Sequence, residues 1–446
     1  MSESIDLIVP NIAEFNLRHP SQRFAPAVEK AFSDWGTGLA DQCVFWSARR
    51  RVLVLPHGVD RLWLEDVHAA LGQAVPPVVS PHPRGGLLLQ DLLGDGSALA
   101  ALRGAVEGHE RVRLIVWGAT PGVYALAAAV QSWGPDVELE GTDEPHYWAS
   151  LYLDSKQSCQ DLAGYVPAVR VPKTFTVTCD EELEGAVRHL TAIHRQAIVK
   201  SMFGVGGNGS AVVGVGRKAL ERFWSTAHRE PFLQTYPLLV QEYVERARDR
   251  GCPAVDLFID DGGVRQIVLS SMTVDGHRFR DVAVGTRSVT PDDGRRIRSV
   301  GHAMGTSAHA LGFRGWFCVD FLVSSAGELY VTEINARRSG AAHSIALLGL
   351  LGSPDELVAH SYDTLPVALP APVSYADGIR PVFQRLWAEG IRAYPTTVRG
   401  LTRSRPSIGL VTIGASVQQA NEVAAEVQAA LSEQGLGSRG LVTANE

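Results

Sequence analysis

The sequence predicts a multidomain protein of α/β and α+β character, and three observations carry that expectation. At 446 residues the chain exceeds what one ordinary core holds, so two or three domains are expected. Over its first third, short apolar runs alternate with helix-like stretches, the rhythm of a small, mostly parallel sheet. From about residue 165 onward, β-branched and aromatic runs separated by turns take over, the pattern of hairpins. The division expected from these shifts is an N-terminal α/β domain over 1–150, a central region over 151–365, and a small C-terminal α+β lobe over 366–446.

Composition narrows the class of partner. A net charge of −7 argues against nucleic acid or an anionic membrane. The start MSESIDLIVPN lacks the basic and apolar segments of a signal peptide, and no window is apolar enough for a membrane helix, so a cytoplasmic protein is expected. Cys43, Cys159, Cys179, Cys252 and Cys318 are odd in number and form no CxxC pair. They are read as reduced small hydrophobes rather than a zinc or disulfide framework. Of 41 basic residues only Lys30, Lys156, Lys173, Lys200 and Lys218 are lysine, which makes a lysine in a recognisable setting more informative.

In the first domain, runs at 43–46, 51–55, 77–79 and 113–117 read as strands, with helices at 61–71 and 124–133. The turn 117–122, WGATPG, joins strand to helix but is not GxGxxG, so this domain is expected to wall a substrate cleft rather than bind a dinucleotide. His57 and His82 sit in Pro-flanked loops and read as turn residues. Beyond residue 154 come a polar helix start carrying Lys156, a strand-like stretch over 165–178, and an amphipathic helix over 181–194.

The segment 196–215, QAIVKSMFGVGGNGSAVVGV, reads as strand, glycine loop, strand. Lys200 ends the first strand, and Gly204, Gly206, Gly207 and Gly209 leave the loop free to turn N–H groups inward, with Ser210 at its exit. Such a loop covers polyphosphates through backbone donors while lysine adds a point charge, although no Walker GK[ST] is present. The strand 237–244, PLLVQEYV, ends in Gln241, Glu242, Tyr243 and Val244 before a charged loop, and can offer backbone groups to an adenine edge. A hairpin follows around Asp261-Gly262-Gly263. Then come an arginine-rich stretch over 278–298 expected to be mobile, a helix over 299–311, a Pro-rich linker at 366–378 and a hairpin-like segment over 380–402.

The segment 315–340, GWFCVDFLVSSAGELYVTEINARRSG, concentrates oxygen ligands on two strands, 316–323 and 328–334, around a turn at 324–327. A symmetric hairpin sets Asp320 opposite Val331, placing Asp320, Val331, Glu333 and Asn335 on one face. Asp320 and Glu333 are then diagonal neighbours ~7–8 Å apart. Two carboxylates and an amide at that spacing suit Mg²⁺.

The order of these elements (lysine, lysine with glycine loop, QEYV, aspartate, ExNxR) resembles the ATP-grasp superfamily of carboxylate–amine ligases over residues 150–360. Glu333-Ile334-Asn335-Ala336-Arg337 matches its E-x-N-x-R signature. The resemblance implies an ATP-grasp fold preceded by a pre-ATP-grasp domain, with ATP and Mg²⁺ as cofactors. It places Lys156, Lys200, Gly206, Gly207, Gly209 and Ser210 on the phosphates, and Gln241, Glu242 and Val244 at adenine. The metal falls to Asp320, Glu333 and Asn335, and catalysis to Lys200 and Arg337. The activity implied is ADP-forming: a carboxylate becomes an acyl phosphate and is attacked by an amine.

The first domain and the stretch RPVFQRLWAEGIRAYPTTVRGL resemble pheganomycin-type peptide ligases. That implies a guanidino acid as donor, the amino group of a peptide or amino acid as acceptor, and a role in antibiotic biosynthesis. Ligation to another small amine or thiol, and a non-catalytic ATP-binding scaffold, are the alternatives. A homodimer is the expected assembly.

Overall fold

In the computed structural model the described residues are 4–19, 24–56, 58–85, 87–204, 208–276, 278–367, 374–403 and 406–433. The first sheet is parallel, with β1 (Ser4–Val9), β2 (Arg51–Val54), β3 (Val78–Val79), β4 (Arg111–Val116) and β5 (Asp136–Glu140) in the order β3-β2-β1-β4-β5. Its inner strands read as near-continuous apolar runs because helices cover both faces. The run at 43–46, expected as a strand, is instead part of a 3₁₀ helix, Ala40–Phe45, buried throughout. His57 lies outside the described residues.

A four-stranded antiparallel sheet follows, with β6 (Thr174–Val177), β7 (Gln196–Ser201), β8 (Ser210–Gly214) and β9 (Leu238–Glu242) in the order β6-β9-β7-β8. The helices Asp180–His194 and Arg217–Ala227 close its outer face over Leu183, Leu190 and Phe223. The third sheet is antiparallel and eight-stranded. It comprises β10 (Cys252–Asp260), β11 (Gly263–Asp275), β12 (Arg278–Val284), β13 (Gly315–Val323), β14 (Leu329–Asn335), β15 (Val358–Pro366), β16 (Ala393–Thr397) and β17 (Ser407–Gly414). Their order is β14-β13-β10-β11-β12-β15-β17-β16.

Three expectations change here. The stretch over 278–298 is not a mobile loop: it is β12 and the start of the helix Pro291–Ala310, whose Thr290 cap accepts from the Asp293 N–H at 3.2 Å. The segment 380–402 is not a hairpin but the helix Arg380–Ala388 followed by β16. Nor does the tail form a sheet of its own. β16 and β17 pair through β15 onto β12, so the expected boundary at 365/366 falls at the end of a strand of the central sheet. One continuous core accordingly runs from Ile8, Phe15 and Trp63 through Val282 to Phe383, Leu410 and Leu431. Among the described residues no helix is long and apolar enough to cross a membrane, and all five cysteines are free.

Candidate active site

Between the four-stranded and eight-stranded sheets lies a cleft of 470 Å³. The small sheet contributes Ile198, Lys200 and Ser210. The large sheet contributes Asp256, Asp320, Glu333 and Asn335, and Tyr243 to Arg246 cross between the two. The connection is tied to the tip of the metal-type hairpin: the Ala247 N–H donates to the Val323 carbonyl at 2.9 Å, and the Ser325 N–H to the Glu245 carbonyl at 3.0 Å. The carboxyl ends of β1 and β4 close one side. There Asn11 Oδ1 accepts the Trp117 N–H at 2.9 Å, and the Trp117 carbonyl accepts the Arg338 N–H at 3.0 Å. Open α/β sheets place their ligand crevices at this end of the strands.

The carboxylate hairpin forms in a register that differs from the symmetric one. Phe321 opposes Val331, and the ladder then shifts so that Asp320 opposes Glu333 and Cys318 opposes Asn335. The extra residue is Thr332, whose hydroxyl donates to the Asp320 carbonyl at 3.1 Å. A bulge leaves two successive side chains on one face, so Thr332 and Glu333 both line the cleft. Val331, expected on that face, is fully buried with Phe317, Val319 and Phe321 in the opposite core. The bulge therefore makes the carboxylates direct partners instead of diagonal ones.

Electrostatics concentrate at this point. Burial, and then repulsion from Glu333, push the Asp320 carboxyl up to about 7. The Lys156 ammonium lies 3.1 Å from Glu333 Oε1, and the Lys156 N–H donates to the Met202 carbonyl at 3.0 Å, locking that helix start to the end of β7. Burial lowers the affinity of Lys200 for its proton, with Glu333 opposing and Lys156 reinforcing that shift. Asn335 Nδ2 donates to Asp320 Oδ2 at 3.0 Å, while Asn335 Oδ1 accepts from Arg337 at 2.8 Å. Arg337 is buried, spends a second donor on the Arg338 carbonyl at 2.8 Å, and lies over the Trp117 ring at 5.2 Å. Gly118 permits this approach: a Cβ there meets the Phe15 ring and stands 3.1 Å from Arg337 Cβ.

Other expected contacts are placed differently. The Gln241 amide donates to Thr174 at 2.9 Å within the small sheet, and the Glu242 carboxylate pairs with His194 at 3.3 Å. Neither side chain lines the cleft, whereas Val244 does. An adenine contact through the Glu242 carboxylate is thus not supported. Gly206 and Gly207 lie outside the described residues. Gly209, at φ +76°, packs against Ser201 and Phe232 at the entrance to β8. Arg338 does not reach the cleft: it pairs with Glu140 between the rings of Trp46 and Trp316.

Sequence reading missed Asp256. It is 1% exposed and lines the cleft, and burial pushes its carboxyl up to about 6 against hydrogen bonding from Ser339 and Cys318. A lone carboxylate in the apolar run PAVDLFI was the available signal, because a buried charge demands a partner.

Residues 162–341 match the ATP-grasp domain family. No curated protein matches the chain. Among solved structures, the chain is similar to the ADP complex of an N5-carboxyaminoimidazole ribonucleotide synthetase, with TM-score 0.55, 11% identity, and coverage of 97% of this chain and 98% of that one. It is similar to the Aspergillus clavatus N5-carboxyaminoimidazole synthase in complex with ADP and its aminoimidazole ribonucleotide, with TM-score 0.53, 11% identity, and coverage of 97% and 99%. It is also similar to the biotin carboxylase domain of the Hydrogenobacter thermophilus 2-oxoglutarate carboxylase, with TM-score 0.54, 12% identity, and coverage of 96% and 90%. At these identities the likeness is one of fold: the chain has an ATP-grasp fold, with the matching domain over residues 162–341.

Proposed function

We propose that the protein is an ATP-dependent, ADP-forming carboxylate–amine ligase that makes a peptide bond. Its donor is a small carboxylate, with a guanidino acid the first candidate, and its acceptor is the amino group of a peptide or amino acid in natural-product assembly. The observation that carries this reading is the convergence of Lys156, Lys200, Asp320, Glu333, Asn335 and Arg337 on one cleft between two antiparallel sheets.

The donor set fits Mg²⁺. Among the described residues no three His, Cys, Asp or Glu cluster as a metal site. The set on offer is two facing carboxylates and an amide oxygen, and Mg²⁺ characteristically takes one or two carboxylates plus substrate phosphates. Asn335 Oδ1 keeps a second lone pair beyond the one engaged by Arg337. Asp320, Glu333 and Asn335 would hold the ion, whose contribution when bound is to neutralise phosphate charge.

The chain's own residues do the rest. Lys156 at its helix start and Lys200 on β7 supply positive charge, with Glu333 beside them opposing the loss of the Lys200 proton that burial favours. Phosphoryl transfer asks chiefly for positioning and charge, so a carboxylate oxygen in line with the γ-phosphorus of ATP displaces ADP and becomes an acyl phosphate. The amine, in its neutral form, then attacks the acyl carbon, the C–O bond to phosphate breaks, and the proton lost from nitrogen leaves with the phosphate. Arg337, clamped by Asn335 Oδ1 and Trp117, is oriented to stabilise the oxyanion of that adduct. Beyond Arg337 the cleft turns apolar, with Trp35, Leu39, Met272 and Phe279, which favours a substrate larger than ammonia.

An ADP-release screen of carboxylates against peptides and amino acids, with mass spectrometry of products and hydroxylamine as a trap, tests the reading. A ligase gives ADP and a hydroxamate, and a stable phosphoester would instead assign a kinase. Tight Mg-ATP binding with no ADP from any pair would assign a scaffold.

A further inference from the structure

We infer that Asp256 anchors the ammonium group of the amine substrate, forming an acceptor subsite opposite Arg337; this deepens the ligase reading and rests on it. Asp256 sits on β10, directly across from Cys318 on β13, with its side chain in the cleft wall. It is 1% exposed, and its Oδ2 has no hydrogen-bond partner among the described residues. A buried carboxylate oxygen without a partner is costly, and its natural complement is a cation with N–H donors.

The neighbouring cation of the chain does not fill that role. Arg337 directs its two terminal nitrogens to the Arg338 carbonyl and Asn335 Oδ1, and its Nε, also buried, has no partner either. Two opposite charges thus line one cleft, each with an unused polar atom, and they do not hydrogen-bond to each other. A ligand satisfying both presents an oxygen to Arg337 and N–H groups to Asp256. An amine poised beside a carbonyl does so. Ser270 and Met272 on the adjacent strand, with Trp35 and Leu39 from the N-terminal domain, continue the wall, so the amine this subsite takes carries an apolar stem.

The test uses the full chain with Mg-ADP and two probes, L-phenylalaninamide and N-acetyl-L-phenylalaninamide, titrated calorimetrically. The wild type is expected to bind the charged amide at least about tenfold more tightly than the acetylated one, the scale of one charge-assisted hydrogen bond. Asp256→Asn should erase that preference while Mg-ADP binds as before, and Asp256→Glu, which keeps the charge, should restore part of it. Equal binding of the two probes by the wild type, no binding of the charged amide, or an undiminished preference in Asp256→Asn overturns the subsite. If Asp256→Asn fails to bind Mg-ADP, the wild-type preference and the Glu variant decide.

Hydroxylamine, uncharged at neutral pH, separates this inference from the reading beneath it. Asp256→Asn should keep hydroxamate formation and show a raised KM for a peptide amine. Parallel loss of both would assign Asp256 to activation or folding and overturn the anchor. A wild type that forms no hydroxamate removes the ligase reading, and the amide titrations still decide the subsite.

Discussion

The four-stranded sheet packs on a core drawn from residues 177–240 alone, whereas the eight-stranded sheet shares its cores with segments from Ile8 to Leu431. The first carries Lys200 and the glycine loop, and the second carries Asp320, Glu333 and Asn335. The cationic half of the cleft therefore stands on a local unit, and the acidic half on a structure to which nearly the whole chain contributes. Among the described residues they are joined by the crossing at 243–249, by the Lys156 N–H on the Met202 carbonyl, by the Thr174 and Thr176 hydroxyls on Gln160 and Gln157, and by Phe24 and Phe32 against Phe232. Cores that share no side chains open separately, so the difference implies a rigid acidic platform and a separable cover.

The largest effect expected on this contrast is chemical and lies on the rigid side. Arg337→Ala should lower turnover by about 10²–10³, near 3–4 kcal/mol of transition-state stabilisation, while Mg-ATP binding largely survives. Steady-state ADP release beside a Mg-ATP titration checks it, and unchanged turnover removes Arg337 from the mechanism.

Next come paired cavities. Leu190→Ala in the local core and Leu410→Ala in the shared core should each cost about 2–5 kcal/mol at their sites. Amide exchange should distinguish them. Leu190→Ala should speed exchange only in β6–β9 and their helices, and Leu410→Ala should speed it from β1 to β17. If Leu190→Ala loosens β15–β17 equally, the two halves are one unit.

The smallest effect is on pH dependence. Burial pushes the His68 and His343 imidazoles down to about 4 and about 3, and both side chains lie on the shared side of the molecule. The unfolded chain takes up these protons near pH 6.5, and the folded chain refuses them until pH 4 and 3. The contribution of these two histidines to stability should therefore be flat above about pH 7 and fall on acidification, by at most about 1.4 kcal/mol per pH unit for each, against the opposite contribution of the raised Asp320 and Asp256 carboxyls. The difference in thermal unfolding between wild type and His343→Gln should show that slope across pH, the wild type losing more stability on acidification than the variant. An unchanged slope would mean that His343 is already protonated in the fold.

The legible part of the site was local. Strands 316–323 and 328–334 were expected from period-two alternation, and β13 and β14 fall within a residue of them. The register was not legible, because the Thr332 bulge is a property of how two strands settle on a packed core. The helix Arg380–Ala388 was missed although Pro381 suits a first turn and Val382, Phe383 and Leu386 recur at helical spacing. Its aromatic and prolyl neighbours, read alone, suggested a hairpin.

By itself the sequence determined the order of lysine, glycine loop and ExNxR, the alternation that builds each hairpin, and the net acidity, because each is read along the chain without knowing which distant segments meet. Tertiary structure alone decided that Arg338 belongs to Glu140, 198 positions away, while its neighbour Arg337 faces the cleft. It also turned Glu242 toward His194, joined the tail to the central sheet, and left Asp256 buried beside an arginine that does not bond it. These are pairings between distant segments, chosen by which buried charges and sheet edges must be satisfied once the cores close.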